Sequence, residues 1–316
     1  MGSLDHPNLV KYLGFGSKAG GRLDLDTPLC ALDGEEVFMA LEYMPGGTLK
    51  NLIARQMQNH SKRLYDWNDA FRWFRGIAEG LKYLHGQDQV LVHRDLKPCN
   101  ILFTCTRVHK EAEAKIADFG LTRFMDTQEG TKTGFFGTPT KPSRSLLEQL
   151  ANIKGNKKLS KTQHMLLETK MLGSTGGYRA VDATGNTGSL LYMAPEVFKS
   201  EDYTEKVDVF SFGVMLYETL KATLASALMN TGEMKECMRY ADKVSKGFRR
   251  PIPEAWPEEV QELIRICWEQ DPRRRPSMKR VAVIMEMMVE EGIPEAYEAQ
   301  IKRPVKSGGG LFGCFA

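Results

Sequence analysis

Between two short apolar runs, in LVHRDLKPCNILF at residues 91–103, an aspartate (Asp95), a lysine (Lys97) and an asparagine (Asn100) fall within six positions. A second carboxylate, Asp118, follows in the tripeptide DFG. A carboxylate can accept a proton, an ammonium can meet an anion, and amide and carboxylate oxygens are hard ligands for a divalent cation. Together they suit phosphoryl transfer, in which the protein's work is mostly positioning and charge stabilisation. Asp95 or Asn100 alone would read as a solvated turn residue; the constellation argues otherwise.

The chain that must position these groups has 316 residues, enough for one large domain or two modest ones. It is 42% hydrophobic and 26% charged with a net charge of +3, a balance that by itself points to neither nucleic acid nor an anionic membrane. Six scattered cysteines lack any C-x-x-C pairing, which fits a reducing compartment and free thiols better than disulfides or zinc. No apolar run reaches membrane-spanning length and no secretory segment opens the chain, so a cytoplasmic location, extending to the nucleus, is expected. Gly2 is followed by His6 where a myristoylation signal needs Ser or Thr, and Cys314 has one residue too few after it for prenylation. Palmitoylation of Cys314 stays open, with a loose tail as the ordinary reading.

Residues 8–16 and 36–43 read as strands joined by a Gly-rich turn, and PGGTLKNLIARQM then opens a helix. From Asp66 to His85 the residues Trp67, Phe71, Phe74, Ile77, Leu81 and Leu84 recur at helical spacing. Short strands are expected near 90–92, 101–104 and 114–117. Residues 131–170 carry eight Lys/Arg against two Glu and only one short apolar patch, which reads as a flexible basic insertion. Helical patterns return through EKVDVFSFGVMLYETL, PEEVQELIRICWEQ and SMKRVAVIMEMMVE.

HRDLKPCN (93–100), DFG (118–120), APE (194–196), DVFSFG (208–213) and CWEQDPRRRP (267–276), in that order, resemble the C-terminal lobe of a eukaryotic protein kinase. The resemblance covers roughly residues 3 to 290. Its wording is closest to the tyrosine-kinase-like group of serine/threonine kinases. It implies an α+β fold with a mostly helical C-lobe and a remnant of the N-lobe sheet. It also implies transfer of the ATP γ-phosphoryl group to serine or threonine hydroxyls of protein substrates. Asp95 would then orient the acceptor hydroxyl and take its proton, Lys97 would meet the transferring phosphate, and Asn100 and Asp118 would hold Mg2+. Lys97 in D-L-K-P-x-N and Ser189 in GSLLYMAPE are similar to the serine/threonine-directed pattern, with the Ser189 hydroxyl bonded to Asp95 and Lys97.

ALEYM resembles the adenine-binding hinge, with Leu41 as gatekeeper, backbone hydrogen bonds from Glu42 and Met44, and Leu102 beneath the ring. Arg94 is the implied partner for a phosphate on the activation segment, with Thr184 the better-placed acceptor and Thr187 the second. Glu196 and Arg275 are implied to form a buried ion pair. Two other stretches are set aside. GFGSKAGG lacks the Gly-Lys pair of a Walker A loop and follows HPNLV rather than preceding it, so it reads as a hairpin turn. The basic insertion lacks interleaved aromatics beyond Phe135 and Phe136, so no nucleic acid is expected as a partner.

LDHPNLVKYLGFG resembles the entry to the fourth kinase strand, and nothing before it reads as the glycine-rich loop, the third-strand lysine or the C-helix glutamate. The expected division is therefore an N-lobe remnant at 1–45 (fourth and fifth strands and hinge), a C-lobe at 46–292 with an insertion at 124–187, and a tail at 293–316. The favoured expectation is a catalytic-domain fragment of a working kinase. The alternatives are an inactive kinase-like binding module, or an N-lobe completed by a regulatory partner.

Overall fold

The computed structural model describes residues 4–17, 21–23, 37–59, 61–107, 111–125, 160–163, 165–166, 189–229, 231 and 233–292. Three strands come first: β1 (Tyr12–Ser17), β2 (Gly21–Leu23) and β3 (Val37–Leu41). They form an antiparallel sheet in the order β2-β1-β3, with Phe15 opposite Leu23 on one side and Met39 on the other. The sequence pattern predicts two strands with a turn between them. Part of that turn is β2, which supplies backbone partners along β1 that would otherwise be unpaired.

The helical body follows. Helix α1 (Leu49–Gln58) starts where the Thr48 hydroxyl accepts the Asn51 N–H at 3.1 Å. Helix α2 (Trp67–His85) starts at a reciprocal cap, in which Asp66 accepts the Asp69 N–H and the Asp69 carboxylate accepts the Asp66 N–H. Its periodic residues, Trp67, Phe71, Phe74, Ile77, Leu81 and Leu84, are all buried. Four short strands then make two antiparallel pairs. β4 (Val90–Val92) pairs with β7 (Arg123–Met125), and β5 (Ile101–Phe103) pairs with β6 (Ala114–Ile116). Phe124 and Met125, expected to open the insertion, therefore belong to a strand, because the backbone of β4 offers them a ladder.

A single turn, α3 (Pro195–Phe198), leads to α4 (Lys206–Lys221), α5 (Met234–Ser245), α6 (Glu258–Cys267) and α7 (Met278–Glu291). Helix α4 is buried at every position from Lys206 to Leu220, as a helix must be when others surround it. Gly213 lets α6 approach it: a Cβ there would sit 2.7 Å from that of Cys267. Helix α7 packs along α2 and α6 along α4. Helix α5 was not anticipated, because MKECMRYADKVS offers few large apolar residues; Cys237, Ala241 and Val244 make its buried side.

One piece of the expected flexible insertion is anchored. Around Ser160–Leu166 the chain makes a helical turn against α6 and α7, with Thr162 and Leu166 buried. The basic run hid this, because two buried residues suffice to dock one turn.

Candidate active site

The loop between β4 and β5 is fixed from beneath by α4. The carboxylate of Asp208, fully buried, accepts the His93 N–H at 2.8 Å and the Arg94 N–H at 2.9 Å. It also lies 2.8 Å from Nε2 of His85 at the end of α2. Burial alone would raise the Asp208 carboxyl, but the His85 bond, the nearby His93 and the backbone N–H hold it below the usual range. These bonds maintain Arg94 at φ +66°, a left-handed conformation that a non-glycine residue adopts only when its surroundings require it. The loop is thereby turned so that the buried Asp95 carboxylate meets Lys97 and Ser189.

Asp95, Lys97, Asn100 and Ser189 come together. The Ser189 hydroxyl donates to Asp95 Oδ1 at 2.6 Å, and Lys97 Nζ donates to Asp95 Oδ2 at 2.6 Å and to Ser189 Oγ at 3.1 Å. The Asn100 amide donates to the Asp95 carbonyl at 2.8 Å, so its Oδ1 is the atom that could ligate a cation. Asp118 is exposed at φ +63°, and its carboxylate accepts the Gly120 N–H at 3.3 Å. It is tied to this group through the backbone, where the Ala117 N–H donates to the Asn100 carbonyl at 2.8 Å. An amide oxygen and a carboxylate are the hard donors that Mg2+ takes, with phosphate oxygens and water completing its shell.

Leu41 ends β3 and is 44% exposed. The Glu42 N–H donates to the Lys11 carbonyl at 2.8 Å, so its own carbonyl is the group it can offer a base. The Glu42 carboxylate pairs with Lys115 at 2.7 Å, joining the first sheet to β6. The Met44 carbonyl accepts a long 3.4 Å bond from Gly47, and Leu102 in β5, half-buried, is bridged to Thr48. A cavity of about 660 Å³ lined by His6, Tyr83, His85 and Lys279 includes none of these residues, so cavity size does not mark this site.

Arg94 is already engaged: Nε donates to the Leu121 carbonyl at 2.5 Å and a terminal nitrogen to the Tyr203 hydroxyl at 2.8 Å. Thr184 and Thr187 lie outside the described residues. Glu196 and Arg275 form a buried two-pronged pair at 2.6 and 2.9 Å, as the motif resemblance implied.

Sequence reasoning missed one buried cluster under the Ser189 turn. The Tyr192 hydroxyl donates to Glu218 Oε2 at 2.8 Å, while Oε1 accepts the Ala225 N–H at 2.5 Å and lies 3.4 Å from Arg250. Burial pushes the Glu218 carboxyl up to about 7, against the Tyr192, Ala225 and Arg250 interactions. The signal was an acidic residue inside the apolar run FGVMLYETL, where a carboxylate needs partners.

Comparison with known proteins bears on the family. The family model described as protein kinase domain matches residues 1–149, and that of protein tyrosine and serine/threonine kinase matches residues 171–285. The serine/threonine-protein kinase VIK of Arabidopsis thaliana is 30% identical over 291 residues, covering 90% of this chain and 49% of that protein. A putative mitogen-activated protein kinase kinase kinase 7-like protein of Drosophila melanogaster is 26% identical over 298 residues, 94% of this chain and 56% of the relative. The probable kinase drkD of Dictyostelium discoideum is 27% identical, covering 94% of this chain and 16% of its own length. The chain thus spans about half, or less, of these relatives. With both family models in agreement, the chain belongs to the eukaryotic protein kinases, as a kinase domain of the tyrosine-kinase-like type.

Proposed function

We propose that this chain carries the site that transfers the γ-phosphoryl group of ATP to serine or threonine hydroxyls of proteins. The Ser189–Asp95–Lys97 triangle carries the reading. It holds one carboxylate by both oxygens, so Asp95 is oriented before any substrate arrives. Asp95 positions the acceptor hydroxyl and accepts its proton; Lys97, already against Asp95, meets the charge on the group in transit. Asn100 and Asp118 hold the cation, which we take to be Mg2+. Bound ATP and Mg2+ supply the phosphoryl group and neutralise its charge. Leu41, the backbone of Glu42 and Met44, and Leu102 line the adenine site.

On this reading residues 1–45 belong to the small lobe and 46–292 to the large one, with the activation-segment insertion at 124–187 and a tail at 293–316. Thr184 and Thr187 are the regulatory acceptors. A phosphate there would draw Arg94 from Leu121 and Tyr203. The free thiols of Cys99, Cys105, Cys237 and Cys267 suit a cytoplasmic protein. Among the described residues no helix is long and apolar enough to cross a membrane.

The test is radiolabelled phosphate transfer from ATP to a generic serine/threonine protein substrate. In a chain extended upstream with a glycine-rich loop, a third-strand lysine and a C-helix glutamate, Asp95→Asn should lower transfer by about 10²–10⁴-fold while largely sparing ATP binding. Equal rates in the two proteins would refute the assignment.

A second reading, a non-catalytic module that binds partners at the small lobe, is favoured by the exposed apolar side chains of β3. The discriminating comparison sets residues 1–316 against a chain extended upstream with a glycine-rich loop, a third-strand lysine and a C-helix glutamate. We expect negligible transfer from the first and transfer from the second. Turnover by residues 1–316 that is lost in Asp95→Asn would remove the binding reading.

A further inference from the structure

The cavity of about 660 Å³ that the Asp95 site does not use lies where three helices end: the close of α2, the start of α4 and the start of α7. Its size is that of a small-molecule site. Tyr83, Val90 and Met278 give it an apolar wall, and His6 stacks on Tyr83 with ring centres 5.0 Å apart.

The charges on its walls leave a positive remainder. Glu79 is matched by Lys82 at 2.8 Å, and Glu205 lies 3.8 Å from Nζ of Lys206. Burial holds the His6 ring below the ordinary histidine value, so it adds no charge at neutral pH. Lys279 is left with no counter-charge among the described residues. It stands in the first turn of α7, a helix of 14 residues with no acidic residue at that end. Ser277 Oγ accepts the Arg280 N–H at 3.3 Å, whereas the Met278 and Lys279 N–H groups have no acceptor among the described residues. A lysine, free N–H groups and the positive end of a helix dipole together favour an anion.

His85 narrows the choice of anion. Its side chain, 8% exposed, is part of the same wall. Nε2 lies 2.8 Å from the Asp208 carboxylate, which is held ionised, so Nε2 carries the ring's proton. Nδ1 is then a lone pair, buried with no hydrogen-bond partner among the described residues. A buried acceptor left unmet costs stability that a donor on a ligand would recover. Sulfate and carboxylate bring no proton at neutral pH. A phosphate monoester does, because its second proton leaves near about pH 6. That one proton bridges a phosphate oxygen and Nδ1 whichever of them holds it, and the other oxygens stay free to accept from Lys279 and the α7 N–H groups.

We propose that this cavity binds a small organic phosphate monoester, its phosphate on Lys279, the start of α7 and His85 Nδ1, its body against Tyr83, Val90 and Met278. Asp95, Lys97, Asn100 and Asp118 do not line it. The ring that receives the phosphate is the ring that meets Asp208, whose carboxylate holds the His93 and Arg94 N–H groups of the Asp95 loop.

Phenyl phosphate is the probe, titrated into the full chain at neutral pH without ATP or Mg2+ and followed by calorimetry. Saturable binding at one site is expected. Lys279→Met, a change at an exposed side chain, should weaken it about 10-fold. Lys97→Met, which removes the cation of the Asp95 site, should leave it unchanged. Phenyl sulfate, with the same body and no proton to share, should bind about 10-fold more weakly. Inorganic phosphate, which lacks the body, should also bind more weakly. In 15N-labelled protein the His85 Nδ1 resonance should move on binding, and the ring resonances of His93 should not. Failure to saturate, unchanged affinity in Lys279→Met, equal affinity for phenyl sulfate or an unmoved His85 Nδ1 would each overturn the proposal. Loss of binding in Lys97→Met would do so too, by placing the probe at Asp95, and inorganic phosphate binding as tightly as phenyl phosphate would overturn the organic body.

Discussion

The two parts of this chain that meet at Glu42 bury their apolar residues to very different degrees. In the helical body Phe74, Ile77, Leu81, Phe210 and Phe212 are at most 1% exposed. In β3, Phe38 is 51% and Met39 60% exposed, although as adjacent residues of a strand they point to opposite sides of the sheet. Backbone pairing is complete enough in both to define elements; side-chain burial is not. A sheet of three short strands with apolar groups open on both sides draws little of its stability from packing. The body should therefore respond strongly to single substitutions, and the sheet weakly.

The largest effect expected is at Arg275. Its guanidinium meets Glu196 with two bonds, is fully buried, and also donates to the carbonyls of Glu269 and Lys206. Arg275→Ala leaves the Glu196 carboxylate buried and unpaired, which costs about 3–5 kcal/mol. Thermal melting checks this, and a midpoint unchanged from the parent would mean that the pair is not what holds the segment after Ser189.

Next is a matched pair of apolar truncations. Phe74→Ala in α2 removes a ring that stacks edge-on against Phe212 at 5.2 Å and should cost about 3–5 kcal/mol. Phe38→Ser in β3 should stay within about 0.5 kcal/mol, and should reduce binding of an apolar dye. Chemical denaturation of both variants is the measurement. Comparable losses would erase the distinction between body and sheet, and would mean that something covers β3 in solution.

The same contrast separates what is legible in the sequence from what is not. A buried helix face repeats its apolar residues at a fixed interval, so the spacing from Trp67 through Leu84 is enough to mark α2. The loop motif likewise marks which residues gather, because Asp95, Lys97 and Asn100 lie on one turn. Ser189 came from the motif alone, and 94 residues separate it from Asp95. Periodicity cannot report what depends on a distant partner. Strand β2 exists because β1 has an open edge, and the turn at 160–166 docks because Glu259 and Glu291 happen to accept its N–H groups. Glu218 is of the same kind: its partners Tyr192 and Arg250 are 26 and 32 residues away.

Glu218 gives the body a pH response of definite sign. Its carboxyl is raised by burial to about 7, against an ordinary value of 4.5. Between those values the folded chain keeps a proton that the unfolded chain has lost, so stability falls as pH rises from about 4.5 to 7 and then levels. Glu218→Gln removes that loss. Melting at pH 5 and pH 8 should show the parent losing roughly 1–3 kcal/mol more than the variant across the interval. Parallel losses in the two proteins would mean that Glu218 is ionised throughout.

The smallest effect is expected where body and sheet meet. Lys115 of β6 places Nζ 2.7 and 2.9 Å from the two oxygens of Glu42, whose carboxylate also accepts the Lys11 N–H at 3.1 Å. Burial would raise the Glu42 carboxyl, but the Lys115 bond, the Lys11 N–H and both ammonium charges hold it below its ordinary value. The sign is therefore opposite to that of Glu218: the stabilisation is present above about pH 4.5 and disappears as pH falls through the lowered value. Glu42 stays partly exposed, so solvent screening keeps the pair to about 0.5 kcal/mol. Lys115→Met retains most of the aliphatic stem and removes the charge, so the body should melt as before. Hydrogen exchange at residues 37–44 should speed up modestly, because the pair ties the residue that follows β3 to β6. That exchange difference should shrink in 0.5 M salt, which screens the pair in the parent as well. A loss of several kcal/mol in global stability would mean that the sheet and the body unfold as one unit, and the division between them would have to be withdrawn.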